Sequence, residues 1–121
     1  MNGILVVNKD KNLTSRDVVN ILCKIFNTKK IGHTGTLDPI ATGVLIICIG
    51  KYTKLVDYLT SKDKEYVASF KLGLKTDTLD ITGNILEEKV VKINENKIKD
   101  IINSFPKSYL QEVPNYSAVK I

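Results

Sequence analysis

Residues 32–43, which read GHTGTLDPIATG, combine three glycines and a proline with one aspartate and the only histidine of the chain. Glycine has no side chain beyond Cα, so it lets the backbone bend sharply and approach a ligand closely. Pro39 fixes its own backbone angle and favours an extended conformation at Asp38. A single carboxylate on such a constrained loop is a candidate covalent or acid–base catalyst. The alternative interpretation of an Asp-Pro pair is a simple turn.

Other kinds of site find little support in the sequence. Cys23 and Cys48 both lie in apolar runs and, with a single histidine, do not make a convincing zinc set. We therefore expect no metal and two buried, reduced thiols. Gly50-Lys51 lacks the preceding glycine of a phosphate-binding loop and is followed by tyrosine. Residues 32–35 do match the minimal GXXG loop of RNA-binding KH modules, a pattern that specifies only two positions.

The composition is typical of a globular protein with a basic N-terminal part. The chain has 121 residues, is 43% hydrophobic and carries a formal net charge of +5. Residues 1–33 hold five lysines and one arginine against two aspartates, an excess that suits a polyanion such as RNA but does not by itself establish binding. No apolar run approaches the roughly 18–20 residues of a membrane helix, and the start does not read as a secretion signal. We expect a soluble cytoplasmic protein with no membrane partner.

Hydrophobic periodicity predicts alternating strands and helices with no repeat or linker dividing the chain, the pattern of an α/β protein. Residues 4–8 read as a mostly buried strand, and residues 44–49 as a central strand buried on both faces. Thr14 and Asp17 have the spacing of a capping box. The helix that they begin is predicted to bury an apolar stripe of Val18, Leu22, Ile25 and Phe26.

The second half of the chain continues this alternation. A helix is predicted over residues 53–59, a strand over residues 65–72 and another short strand from Ile85. Asn94 is a good cap for a further helix. That helix is predicted to bury a stripe of Ile98, Ile101, Ile102 and Phe105.

The loop over residues 32–43 closely resembles the signature of the tRNA pseudouridine-55 synthase family, the TruB type. Further pieces of the family pattern occur in family order over essentially all 121 residues, which makes the resemblance far more specific than any single motif. These pieces are Asn2-Gly3-Ile4, Lys9, Thr14-Ser15, Gly50, Thr53-Lys54, Asp63-Lys64-Glu65-Tyr66, Leu72-Gly73, Thr76-Asp77-Thr78, Asp80, Gly83, Pro114 and Tyr116-Ser117-Ala118-Val119-Lys120.

The resemblance implies an isomerase of tRNA processing that converts uridine to pseudouridine in the T arm of tRNA. The base leaves its N-glycosidic bond, turns and rejoins the ribose through carbon, without redox change, so no cofactor is expected. The implied partner is the T-arm stem-loop, whose target uridine must be flipped out of the RNA. The implied fold is α/β, with a mixed, largely antiparallel sheet and flanking helices, and we expect a monomer.

The resemblance also suggests roles for individual residues. Asp38 matches the catalytic aspartate, and attack on the ribose, attack on the base and a glycal route all stay open for it. Tyr66 matches a tyrosine that stacks on the flipped base, with a half-buried strand aromatic as the alternative. His33 matches a histidine inserted where the flipped nucleotides leave the T loop. Lys9 supports the catalytic loop, binds phosphate or is an ordinary solvated lysine. The residues expected to shape the loop are Gly32, Gly35, Pro39 and Gly43.

Two departures from the family pattern affect these expectations. Asp10-Lys11-Asn12 follows Lys9 in place of the family's proline and glycine, which predicts a less rigid loop. The chain also ends before the family's basic partner of the catalytic aspartate, before a second active-site tyrosine and before the C-terminal RNA-binding domain. Arg16 lies in the first helix and is no substitute. We expect residues 1–121 to be the N-terminal portion of a catalytic domain, inactive or nearly so alone, with Tyr116 packed near its core.

Two alternative functions remain open. The first is a non-catalytic basic RNA-binding module that uses the glycine loop over residues 32–35 as a backbone clamp. The second is a relative from the RNA-guided, dyskerin-type branch of the same superfamily. Residues 76–83 look like the standalone bacterial type, which disfavours this second alternative.

Overall fold

The computed structural model describes residues 1–110, which divide between two compact units, Met1–Tyr66 and a second that begins at Val67. Both units combine helices with antiparallel strands, so the predicted α/β class with a largely antiparallel sheet is confirmed. The first unit contains β1 (Gly3–Lys9), α1 (Ser15–Ile25), β2 (Ile31–His33), β3 (Gly43–Ile49), a 3₁₀ turn (Gly50–Leu55) and α2 (Val56–Thr60). The second contains β4 (Leu74–Thr76), β5 (Ile85–Glu88) and α3 (Glu95–Asn103).

The first unit is built on an antiparallel sheet of order β1-β3-β2. Strand β3 is central, as its apolar run predicts, and pairs with β1 from Gly3 opposite Ile49 to Lys9 opposite Gly43. Burial on both faces is confirmed only near its end, where Ile47 and Cys48 are fully buried. At the start of the strand the same prediction is wrong, since 69% of Val44 is exposed.

Strand β1 packs on one face only. Its burial alternates along the strand, with Leu5 and Val7 packed against the core and Ile4 and Val6 exposed. The prediction of a mostly buried strand is therefore wrong. Successive side chains of a strand point to opposite faces, and helix α1 covers only the face that carries Leu5 and Val7.

Helix α1 begins as the sequence predicts. The Thr14 side chain accepts a hydrogen bond from the Asp17 backbone N–H, and the Asp17 carboxylate accepts one from the Thr14 N–H in return, so both halves of the capping box are present. The buried stripe consists of Val18, Val19 and Leu22, with Phe26 partly packed against it. Ile25 was expected in this stripe but is exposed, because the last helical residue lies outside the cluster that packs on the sheet.

The second unit departs most from the sequence expectations. The predicted strand from Ile85 is confirmed as β5, which pairs with β4. The predicted strand over residues 65–72 is wrong: within the described residues this segment pairs with no other strand, and an extended segment needs such a partner for its backbone hydrogen bonds. Asn94 caps α3 as predicted. The stripe on that helix is largely exposed, since nothing described covers Ile101, Ile102 and Phe105.

Candidate functional site

The candidate catalytic loop leaves the sheet after β2 and rejoins it at β3. Thr34 still donates its backbone N–H to Ile46 O at 2.9 Å, and the chain then turns away until Gly43. Gly35 and Gly43 have φ angles of +96° and +125°, which residues with a Cβ rarely adopt. Gly32 differs, since it lies within β2 with a Cβ position 3.2 Å from the Val56 side chain. The loop therefore depends on glycine at both of its ends.

Asp38 lies exposed in the middle of this loop. Its backbone carbonyl accepts the Ala41 N–H at 3.0 Å, which closes a turn through Pro39. Its carboxylate makes no hydrogen bond or ion pair with any of residues 1–110. The side chain is thus open to an incoming ligand while the backbone that carries it is held.

The residue before Asp38 is held by a helix. The Ser15 hydroxyl accepts the Leu37 backbone N–H at 2.9 Å and lies 3.3 Å from the Leu37 carbonyl oxygen, to which it donates. Ser15 is the first residue of α1 and only 2% exposed. Sequence reasoning assigned it no role, because the bonded residues are 22 apart in the chain.

The residue after Asp38 is held by the turn that follows β1. The Pro39 carbonyl oxygen accepts the Asn12 backbone N–H at 2.7 Å, and the Lys9 ammonium lies 3.5 Å from the same oxygen. Asn12 has a φ of +68°, a left-handed conformation that asparagine tolerates better than most residues. It lies in the segment that follows Lys9, where the proline and glycine of the family pattern are absent.

Lys9 is almost completely buried, with 1% of its surface exposed. Its ammonium donates to Leu13 O at 2.6 Å and to Asp10 O at 2.9 Å, besides the longer contact with Pro39. An ammonium has three hydrogens to donate, so these carbonyls occupy all of them. The geometry rules out a solvated lysine and favours support of the loop over contact with a phosphate.

His33 ends β2 and is half-buried at the start of the loop. Its Nδ1 atom lies 2.7 Å from the Gly35 carbonyl oxygen. A carbonyl only accepts, so Nδ1 carries the hydrogen in this contact, and in the neutral ring Nε2 is left as an acceptor. No partner for Nε2 is found among the described residues, which leaves that edge of the ring available for recognition.

Tyr66 and Lys64 follow helix α2. Tyr66 is 67% exposed and lies in no strand, so the half-buried strand alternative for it is wrong. Lys64 is a neighbour of the loop that sequence reasoning gave no role: a Cβ on Gly35 would lie 3.6 Å from Lys64 Cε. Its ammonium donates to backbone carbonyls of residues 60 and 62. The structure thus brings Lys64 beside the loop and leaves the Tyr66 ring uncovered.

Among residues 1–110, the remaining reactive groups offer no competing site. Cys23 and Cys48 are free thiols, and burial raises the pKa of the Cys48 thiol. Within residues 1–110, no three side chains of histidine, cysteine, aspartate or glutamate lie close enough to hold a metal, and no helix is long and apolar enough to cross a membrane. Tyr116 and the other residues from 111 onward, including those of the sequence resemblance, lie outside the described part of the chain.

Comparison with known proteins shows which family this chain resembles over most of its length. The model of a family described as TruB family pseudouridylate synthase (N terminal domain) matches residues 23–121. A tRNA pseudouridine synthase B of Clostridium tetani is 54% identical over 122 residues, which cover 100% of this chain and 42% of that protein. Proteins of the same name from Fusobacterium nucleatum and Acholeplasma laidlawii are 47% and 49% identical, over 100% and 99% of this chain and 42% and 43% of theirs. The chain spans about two fifths of the length of these relatives.

Proposed function

This chain belongs to the TruB family of pseudouridylate synthases, and on that premise we propose that it carries the catalytic aspartate of an enzyme that isomerises uridine to pseudouridine in the T arm of tRNA, at position 55. The observation that carries the proposal is the exposed Asp38 on a loop whose backbone is anchored on both sides. A carboxylate held in this way can meet a nucleotide without first ordering the chain around it.

The reaction breaks the bond between N1 of the base and C1′ of the ribose and forms a bond from C5 of the base to the same carbon. C5 loses a proton and N1 gains one, so atoms and electrons balance without a cofactor or metal. The target nucleotide must leave its stack before its glycosidic bond can be reached, which costs a few kcal/mol. Asp38 acts on the flipped nucleotide. Attack on the ribose, attack on the base and the glycal route all need its carboxylate beside that nucleotide.

His33 and Tyr66 are proposed to contact the flipped region of the RNA. The bond from His33 Nδ1 to Gly35 fixes the ring and leaves Nε2 to accept from a nucleotide donor. The exposed Tyr66 ring has an open face on which a base can stack. Lys9 is proposed to support the loop through its contacts with the carbonyls of residues 13 and 39.

Residues 1–121 are proposed to form the N-terminal portion of the catalytic domain. The proposal is supported by the length of the relatives, of which the chain spans about two fifths. Sequence beyond Ile121 would then supply the basic partner of Asp38, the second tyrosine and the C-terminal RNA-binding domain, so the isolated chain is expected to be inactive or nearly so. A tRNA substrate supports a cytoplasmic location; the monomeric state stays a prediction from the sequence.

Turnover separates this proposal from the alternative of an RNA-binding module. The full-length gene product is incubated with a T-arm stem-loop, and pseudouridine is measured by mass spectrometry of the digested RNA. We expect conversion of the single target uridine, and no conversion when that uridine alone is moved to the stem. Binding of the stem-loop without any conversion would favour a module that clamps backbone through the glycine loop.

A further inference from the structure

We propose that Ser15 is a positioning residue for the reaction: its side-chain hydroxyl holds the peptide that leads into Asp38. The inference rests on the proposed catalytic role of Asp38 and adds a residue that acts through it. Ser15 itself is 2% exposed and does not have to touch the RNA. Its effect reaches the substrate through the backbone of Leu37.

The two contacts of the hydroxyl are made with one residue. Ser15 Oγ accepts the Leu37 N–H at 2.9 Å and donates to the Leu37 carbonyl at 3.3 Å. A hydroxyl has one hydrogen to donate and two lone pairs, so it can make both contacts at once. In an antiparallel ladder a residue likewise engages both its N–H and its C=O with one partner. The Ser15 side chain thus replaces a neighbouring strand at a point where the loop has left the sheet.

This attachment constrains Asp38 because the Leu37 carbonyl belongs to the peptide unit that contains the Asp38 nitrogen. That unit is planar, so holding the carbonyl fixes the plane from which Asp38 starts. On the other side, the proline ring fixes φ at Pro39, and the Pro39 carbonyl accepts the Asn12 N–H at 2.7 Å. The freedom left at Asp38 is confined to its own two backbone torsions and its side chain.

The anchor is itself rigid. Ser15 begins α1, whose Val18, Val19 and Leu22 are buried in the core cluster. Capping of the helix does not need the Ser15 hydroxyl, because Thr14 supplies the cap by accepting the Asp17 N–H at 3.0 Å. Both hydrogen bonds of the Ser15 hydroxyl go to Leu37. A role only in helix stability therefore does not explain its contacts.

Thr14 also provides the matched control. Thr14→Ala removes the cap of the same helix at the adjacent position and leaves the loop over residues 36–39 untouched, whereas Ser15→Ala removes the contacts with Leu37 and leaves the cap. Ser15→Cys keeps the side-chain shape with a somewhat larger atom that bonds weakly, and it serves as a second variant if Ser15→Ala folds poorly. In the full-length gene product, kcat and KM are measured on the T-arm stem-loop, together with thermal unfolding.

We expect Ser15→Ala and Ser15→Cys to lower kcat by about 10- to 100-fold, the range for a misplaced catalytic group, with KM nearly unchanged. Thr14→Ala should lower the melting temperature but keep the wild-type kcat. In hydrogen exchange, the Leu37 amide should lose protection in the Ser15 variants and keep it in Thr14→Ala.

Equal kcat in Ser15→Ala and wild type, or an equal fall of kcat in Thr14→Ala, would overturn the positioning role while the proposed function stands. A wild-type protein without turnover would overturn the proposed function, and the positioning role with it.

Discussion

The backbone N–H of Asn12 donates to the carbonyl oxygen of Pro39 at 2.7 Å, so the turn after β1 is tied to the residue that directly follows Asp38. The missing proline and glycine of the family pattern predicted a less rigid loop at this turn. In the structure Asn12 adopts the left-handed conformation with a φ of +68°, which asparagine tolerates better than most residues. The turn therefore keeps its connection to the candidate catalytic loop without glycine.

Replacement of Asn12 tests the importance of this conformation. Asn12→Gly should be tolerated, whereas Asn12→Val should lower the free energy of unfolding by about 1–3 kcal/mol, because a β-branched residue is strained at positive φ. Urea unfolding followed by circular dichroism measures the change. Asn20→Val is the control, since Asn20 is an exposed residue of α1 and asparagine and valine have similar helix propensities. Equal stability of Asn12→Val and wild type would contradict the strain argument.

Replacement of Lys9 separates support of the loop from contact with RNA. Lys9→Met leaves the carbonyls of residues 10 and 13 without their donor, and we expect the free energy of unfolding to fall by about 1–3 kcal/mol. The slope of the logarithm of RNA affinity against the logarithm of salt concentration should not change. Lys11→Met, at an exposed position of the same turn, should change stability by less than about 0.5 kcal/mol. A salt slope reduced by about one in Lys9→Met would instead show a lost phosphate contact.

The capping box makes stability depend on pH in the acid range. The hydrogen bonds from the Thr14 side chain and backbone lower the pKa of Asp17. A carboxyl whose pKa is lower in the folded state contributes stability above its unfolded value of about 3.9, and this contribution is lost as the pH falls through the folded value. Thr14→Ala should therefore lose less stability than wild type on acidification below about pH 4. Equal acid sensitivity in urea unfolding of the two proteins would contradict this coupling.

Features that depend on residues close together in the chain could be predicted from the sequence, whereas contacts between residues far apart in the chain could not. The cap of α1 depends on residues three apart, and the apolar run of β3 is continuous, so the cap and the central position of β3 were predicted correctly, although burial at the start of β3 was not. The prediction of a strand over residues 65–72 was wrong, because strand formation depends on a pairing partner elsewhere in the chain and not only on the local pattern. The same limit applies at the site. The loop that carries Asp38 was singled out by its glycines, its proline and the family resemblance, but the hydrogen bonds of Ser15 and Lys9 to it join residues 22 and 30 apart.

The most direct test of the account compares two aspartate variants of the full-length gene product on a T-arm stem-loop. Asp38→Asn removes the exposed carboxylate of the loop, and Asp57→Asn removes the same charge from an exposed position of α2. We expect Asp38→Asn to lower kcat by more than about 1,000-fold with most RNA affinity retained, while Asp57→Asn keeps wild-type turnover. Turnover by Asp38→Asn at the level of Asp57→Asn would contradict the catalytic assignment of Asp38.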